Sequence, residues 1–144
     1  MLEGMHKIDL KIIKAESGSV LHFLKKEDVG FKNFEEAYFS TVLKNTIKAW
    51  KLHKRMILNL VVPSGSVLFC FLDMRKESST FEKTFKVILS QDPYFRLTVP
   101  PDIWFGFKGL SDGLNLICNV ANIVHDPNEV LRKDIDEIKM DWSL

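Results

Sequence analysis

The stretch Ser66–Met74, "SVLFCFLDM", decides the fold class. Val67, Phe69 and Phe71 alternate with Leu68, Cys70 and Leu72, so a strand here is apolar on both faces and needs cover on both. Flanking it, at spacings of roughly ten residues, come "AYFSTVL", "TIKAWKL", "RMILNLVV", "FKVIL", "FRLTV", "IWFGF" and "LNLICNVANIV". These runs are rich in Val, Ile, Thr and aromatic residues, and "KN", "PSG" and "SQDPY" separate several of them as turns. "FRLTV" stops at Pro100 and Pro101, which cannot both donate to a central ladder. "KIDLKII" and "VLHFL" add two short strands near the start, joined by the turn-like "KAESGS".

About eight to ten short strands, few helices and no repeat fit a jelly roll or another closed β-sandwich. "NFEEAYFSTVL" allows a helix over Asn33–Leu43 as an alternative, but its β-branched and aromatic second half favours a strand. The charged tail "DPNEVLRKDIDEIKMDW" fits a helical stripe only loosely, so a short helix or an irregular wrap is expected there. A sandwich covers only one face of "SVLFCFLDM". The second cover comes from another subunit or from the chain's own termini, and a homodimer is expected.

At 144 residues the chain is expected to form a single domain over 1–144 with one hydrophobic core. With 20 basic against 19 acidic side chains, no excess of positive charge points to nucleic acid or a membrane surface. No stretch reaches the ~18 consecutive apolar residues of a membrane span, and "MLEGMHKIDLKIIK" breaks its apolar pattern too often for a secretory signal. Cys70 and Cys118 lie inside apolar runs without CxxC spacing, as buried thiols of a reducing compartment would. A cytoplasmic protein is expected.

Chemistry is suggested by residues 47–55, "IKAWKLHKR". Strand periodicity puts Lys51 and His53 on one face, and by the same parity puts Lys48 with Trp50 and Leu52. A metal on such a wall needs three or four converging N or O ligands; protonated Lys51 has no lone pair, and no acid follows His53 until Asp73. No metal and no cofactor are expected. Neither a GxSxG elbow nor a glycine-rich phosphate loop is present. Acid–base chemistry remains, with Lys51 and His53 as catalytic candidates. Lys48, Tyr38, Asn59, Trp104 and Asn119 are candidates for binding substrate.

Beyond the strand, "DMRKESSTF" carries D-x-R-x-x-S-x-T-[FY] as Asp73, Arg75, Ser78, Thr80 and Phe81. "PPDIWFGFKGLSD" is similar to P-x-G-x-x-H-G-F-x-x-L-x-D, "EEAYFSTVLKNTIKAWKLH" to a segment ending G-V-[IL]-R-G-[LW]-H, and "HDPNEVLRKDIDEIKMDW" to a closing Y-x-P-x-x-E with a terminal Trp. From about Phe34 to Trp142 the chain thus resembles the RmlC-like cupins, the dTDP-4-dehydrorhamnose 3,5-epimerases and related sugar epimerases and isomerases.

The resemblance implies an all-β double-stranded β-helix, the cupin jelly roll, in a cytoplasmic homodimer that binds a nucleotide-diphospho-4-keto-6-deoxy sugar without metal. It implies proton abstraction next to the ketone by a histidine, with a tyrosine acid opposite and basic side chains on the diphosphate. Carried over by position, R-G-L-H falls on Lys48, Ala49, Trp50 and Lys51. The tyrosine falls on Cys118, counting on from "GFKGLSD"; the second-motif histidine is Phe105, and the glycine before it is Asp102. Lys51 is then either a replacement base, its proton loosened by an apolar surround and assisted by His53, or a charged grip on phosphate or carbonyl oxygen. The corresponding functions are a sugar-nucleotide epimerase or isomerase of deoxysugar or surface-polysaccharide biosynthesis, and a non-catalytic sugar-nucleotide-binding cupin.

Overall fold

The computed structural model describes residues 1–144. Twelve strands form, and the only helical pieces are two 3-10 turns. In chain order the strands are β1 His6–Asp9, β2 Ile12–Ala15, β3 Gly18–Leu21, β4 Glu36–Thr41, β5 Ile47–His53 and β6 Leu58–Ser64. They continue as β7 Ser66–Asp73, β8 Thr84–Ser90, β9 Phe95–Val99, β10 Ile103–Gly109, β11 Leu116–Ala121 and β12 Val130–Arg132. One five-stranded sheet runs β1-β9-β6-β11-β4, the other β12-β5-β10-β7-β8, and β2–β3 stand apart as a hairpin. Every strand pairing is antiparallel, giving the two-sheet jelly roll that the turn spacing predicts. Residues 36–41 are strand, so the helical alternative fails; its Tyr38, Phe39 and Thr41 pair in register with β11.

The facing sheets enclose the main core. Leu58, Leu60 and Val62 of β6, Leu97 of β9 and Ile117 of β11 meet Phe69 and Phe71 of β7 and Phe105 and Phe107 of β10. Burying each such side chain contributes roughly 1.5–3 kcal/mol, so the sandwich rests mainly on these inner faces.

Leu68, Cys70 and Leu72, the other face of β7, pack with Trp50, Leu52 and Trp104 under Ile138, Met140 and Trp142. The second cover that "SVLFCFLDM" requires is therefore the chain's own C-terminal segment, and the strand gives no argument for a second subunit. Trp142 lies 5.2 Å from Trp50 between ring centroids. The tail itself wraps irregularly: turns at Pro127–Glu129 and Ile135–Glu137 bracket β12, and no α-helix forms.

Two local features fix the register around the site. Phe105 pairs with Lys51 but Phe107 pairs with Lys48, so three residues of β5 span two of β10 in a bulge. Gly106 sits opposite that bulge, where a Cβ would come within 2.5 Å of the Ala49 Cβ. After β7, the Asp73 carboxylate accepts hydrogen bonds from the Arg75 guanidinium, the Arg75 amide, and the Ser78 and Thr80 hydroxyls. Burial works against its charge, but these donors hold its pKa far below the usual carboxylate range. The D-x-R-x-x-S-x-T motif thus closes a loop and lies outside the chemistry described below. No helix is long and apolar enough to cross a membrane.

Candidate active site

Between the sheets lies a cavity of about 280 Å3. Its walls include Tyr38 from β4, Asn119 from β11, Lys51 and His53 from β5, Phe105 from β10 and Arg132 from β12. The volume is at the small end of ligand sites, enough for a sugar ring and too small for a whole sugar nucleotide.

His53 is buried and stacks on Phe105, with ring centroids 5.8 Å apart. Its Nδ1 pairs with Glu129 Oε2 at 2.8 Å, and the Glu129 side chain is shut off from solvent. Glu129 Oε1 accepts the backbone N–H groups of Arg55 and Met56, each at 2.8 Å. Burial would raise the Glu129 pKa; the His53 hydrogen bond and the two amides outweigh it, so the carboxyl titrates below its usual value. An ionised Glu129 accepts at Oε2, which makes Nδ1 the protonated ring nitrogen and leaves Nε2, without a protein partner, as a free base. Burial lowers the His53 pKa and prevails over the opposing pull of Glu129, so the ring is neutral near pH 7.

Lys51 is half-buried, and burial, with Arg132 and Lys48 nearby, lowers its pKa. Arg132 stands directly opposite Lys51 in the β5–β12 ladder. Lys48 Nζ reaches across to the carbonyl of Thr41 on β4 at 2.7 Å. None of the three has an acidic partner among the ion pairs of the fold. Like charges gathered without a counterion repel one another, and an anion there would be welcomed. On the opposite sheet, Tyr38 is kept protonated by burial, which raises its pKa; the Asn119 amide opposes the shift only in part.

Of the residues proposed from sequence, Lys51, His53, Tyr38 and Asn119 converge on this cavity. Lys48 is on the same inner face at the rim: the bulge overturns the parity that grouped it with Trp50 and Leu52. Asn59 is not in the cavity. It lies on the outer face of its sheet, accepting from Thr98 Oγ1 at 2.8 Å and donating to the Val120 carbonyl at 3.3 Å. Trp104 is also outside, in the outer cluster, with the Lys133 ammonium 5.3 Å from its ring centroid. Cys118 points outward to Val61 and Tyr94, and its neighbours Ile117 and Asn119 are the residues of β11 that line the cavity. Glu36, His125, Glu129 and Arg132 were missed. The closing Y-x-P-x-x-E pattern points to an acid in this segment but sets it at Val130, one residue past Glu129. No three metal-ligating side chains converge anywhere in the fold.

A family model for dTDP-4-dehydrorhamnose 3,5-epimerase matches residues 1–144. A probable low-salt glycan biosynthesis epimerase of Haloferax volcanii is 26% identical over 114 residues, 76% of this chain and 73% of that one. The crystal structure of a dTDP sugar isomerase from Desulfovibrio desulfuricans superposes with a TM-score of 0.93 at 36% identity, covering 99% of this chain and 94% of that chain. A dTDP-6-deoxy-D-glucose-3,5-epimerase from Legionella pneumophila, solved with dTDP-4-keto-L-rhamnose, shares the fold with a TM-score of 0.79 at 21% identity, over 89% of this chain and 71% of that one. A match over the whole length, together with a structural relative above 30% identity, places this chain in the dTDP-4-dehydrorhamnose 3,5-epimerase family of sugar-nucleotide epimerases and isomerases.

Proposed function

We propose that the protein inverts a carbon next to the ketone of a nucleotide-diphospho-4-keto-6-deoxy sugar, in deoxysugar or surface-polysaccharide biosynthesis. The observation that carries this reading is a His53 kept neutral by burial and set in its tautomer by Glu129, on one wall of a sugar-sized cavity, with a protonated Tyr38 on the other. His53 Nε2 takes the proton alpha to the ketone, and the C–H electron pair moves into an enolate. The Tyr38 hydroxyl returns a proton to the opposite face of the same carbon, and the proton count is restored through water. Two groups on facing walls favour inversion over moving the ketone along one face.

Lys48, Lys51 and Arg132 hold the diphosphate at the edge of the cavity, with the nucleoside outside it. In this role Lys51 grips the substrate and His53 is the base. A second assignment, Lys51 as the base, is favoured by its lowered pKa and its place in the cavity. The outer face of the first sheet and its hairpin expose Ile13, Val20 and Phe39, which supports a homodimer.

The test is deuterium wash-in from heavy water into dTDP-4-keto-6-deoxyglucose, followed by proton NMR. Wild type incorporates deuterium next to the ketone; His53→Asn loses this by at least about 100-fold, whereas Lys51→Met chiefly weakens binding. Tyr38→Phe exchanges the proton but forms little inverted product. Wash-in that persists in His53→Asn and vanishes in Lys51→Met at saturating sugar would transfer the base role to lysine.

A further inference from the structure

We propose that Asn119 is a catalytic residue whose Nδ2–H donates to the ketone oxygen and to the enolate oxygen it becomes. The inference rests on the enolisation described above and assigns the stabiliser that such a step requires.

The Asn119 side chain lines the cavity, yet only 1% of the residue is exposed. Its Nδ2 is one of two buried side-chain polar atoms in the whole fold without a hydrogen-bond partner, the other being Arg96 Nε. Buried donors are nearly always satisfied, so an orphan beside a ligand-sized cavity points to an acceptor brought by the ligand.

The amide orientation is fixed by its other end. Oδ1 accepts the backbone N–H of Asn59 at 2.9 Å, and a backbone N–H cannot accept in return. Flipping the amide would set donor against donor, so Nδ2 is the end left toward the Tyr38 phenol at the cavity wall. Asn59 is in turn tied to Thr98 and Val120, which makes the donor rigid. The Tyr38 phenol, opposite Asn119 in the β4–β11 register, feels the amide as a donor that lowers its pKa, but the two side chains do not reach hydrogen-bond geometry, so Nδ2 still lacks an acceptor.

The chemistry suits an oxyanion rather than proton transfer. A neutral amide neither gains nor loses a proton near pH 7. A donor held in place before reaction needs no reorganisation as charge moves from the breaking C–H bond onto oxygen, which is where such donors are most effective. The oxygen it meets is set by the sugar, so Asn119 also selects substrates with a ketone beside the exchanging carbon. A hydroxyl there is polarised too little to acidify its neighbour.

Asn119→Asp keeps the Oδ1 acceptor and the size of the side chain while replacing the donor with a repelling oxygen. Wash-in into dTDP-4-keto-6-deoxyglucose should fall by about 100- to 1,000-fold, while the affinity for dTDP alone, which has no ketone, stays within about twofold. The spectroscopic readout is the 13C resonance of the ketone in sugar labelled at that carbon, bound to His53→Asn so that it does not turn over. It should move downfield on binding and lose that shift when Asn119→Asp is added. Wash-in in Asn119→Asp within about threefold of wild type, or a bound ketone resonance equal to that of free sugar, would overturn the assignment while leaving the enolisation intact. No wash-in in wild type would remove both.

Discussion

Replacing Glu129 by Gln tests how the base is made. Glu129 Oε1 holds two backbone amides and Oε2 holds His53 Nδ1. Glutamine has one oxygen and one NH2 in that space. Pointing the oxygen at Arg55 and Met56 keeps two hydrogen bonds; the reverse orientation faces an NH2 to two N–H donors. The first is preferred, so the new NH2 meets His53 Nδ1, which must now accept. The ring proton then moves to Nε2, the atom that should take the proton from the sugar. A wrong tautomer enforced by the analogous change in serine-protease triads costs about 10,000-fold, and general-base catalysis is worth about 100- to 10,000-fold. Wash-in should therefore fall in that range, equivalent to about 3–5 kcal/mol of barrier. Folding should lose about 1–3 kcal/mol, since charge-assisted hydrogen bonds become neutral ones. The assay is single-turnover deuterium wash-in alongside a denaturant melt. A folded Glu129→Gln variant exchanging within fivefold of wild type would refute the reasoning, because a base that works with either Nδ1 partner does not depend on its tautomer.

The pH dependence should be set by His53, whose pKa is lowered by burial. Activity is then present above the usual imidazole value of about 6.5 and is lost as pH falls through the depressed value, read from kcat/KM. An ascending limb well above 7 would indicate a lysine base. Removing the positive charge of Lys51 or Arg132, with Met in each case, should raise the Kd for dTDP about 10- to 100-fold and flatten its salt dependence, measured by calorimetry; equal binding at all salt concentrations would place the diphosphate elsewhere. Gly106→Ala drives a methyl into Ala49 across the bulge and should cost about 1–3 kcal/mol in a thermal or urea melt, whereas an unchanged melt would mean that the bulge yields easily.

What the sequence disclosed depended on whether a strand stayed regular. Period-two alternation put Lys51 and His53 on one wall because β5 is unbroken between them, and the doubly apolar β7 implied cover on both faces. The same parity failed at Lys48, since β5 carries one extra residue between Lys48 and Lys51, opposite Gly106, and the alternation slips by one there. Asn59 and Trp104 were chosen for polarity and aromaticity, yet Leu58 and Leu60, and Ile103 and Phe105, occupy the inward positions beside them. Counting from a distant motif landed on Cys118, one residue short of the inward-facing Asn119.

Arg132 and Glu129 were hidden for another reason. β12 is three residues long and exists because it pairs with the edge of β5, a long-range contact with no local pattern. Its preceding turn carries Glu129 to His53 from 76 residues away. Nothing in the spacing of either segment announces the pair. The geometry also changes what the resemblance suggested for the tyrosine: the one phenol at the cavity comes from β4, on the strand beside Asn119.

The central claim is that one cavity seats the keto-sugar ring against His53 while Lys48, Lys51 and Arg132 take the diphosphate. A crystal structure of His53→Asn with dTDP-4-keto-6-deoxyglucose tests it most directly. The account predicts the carbon beside the ketone within about 3–3.5 Å of the position His53 Nε2 would occupy, with phosphate oxygens on the three cations. A sugar bound outside the sandwich, or a diphosphate remote from Lys51 and Arg132, would contradict it.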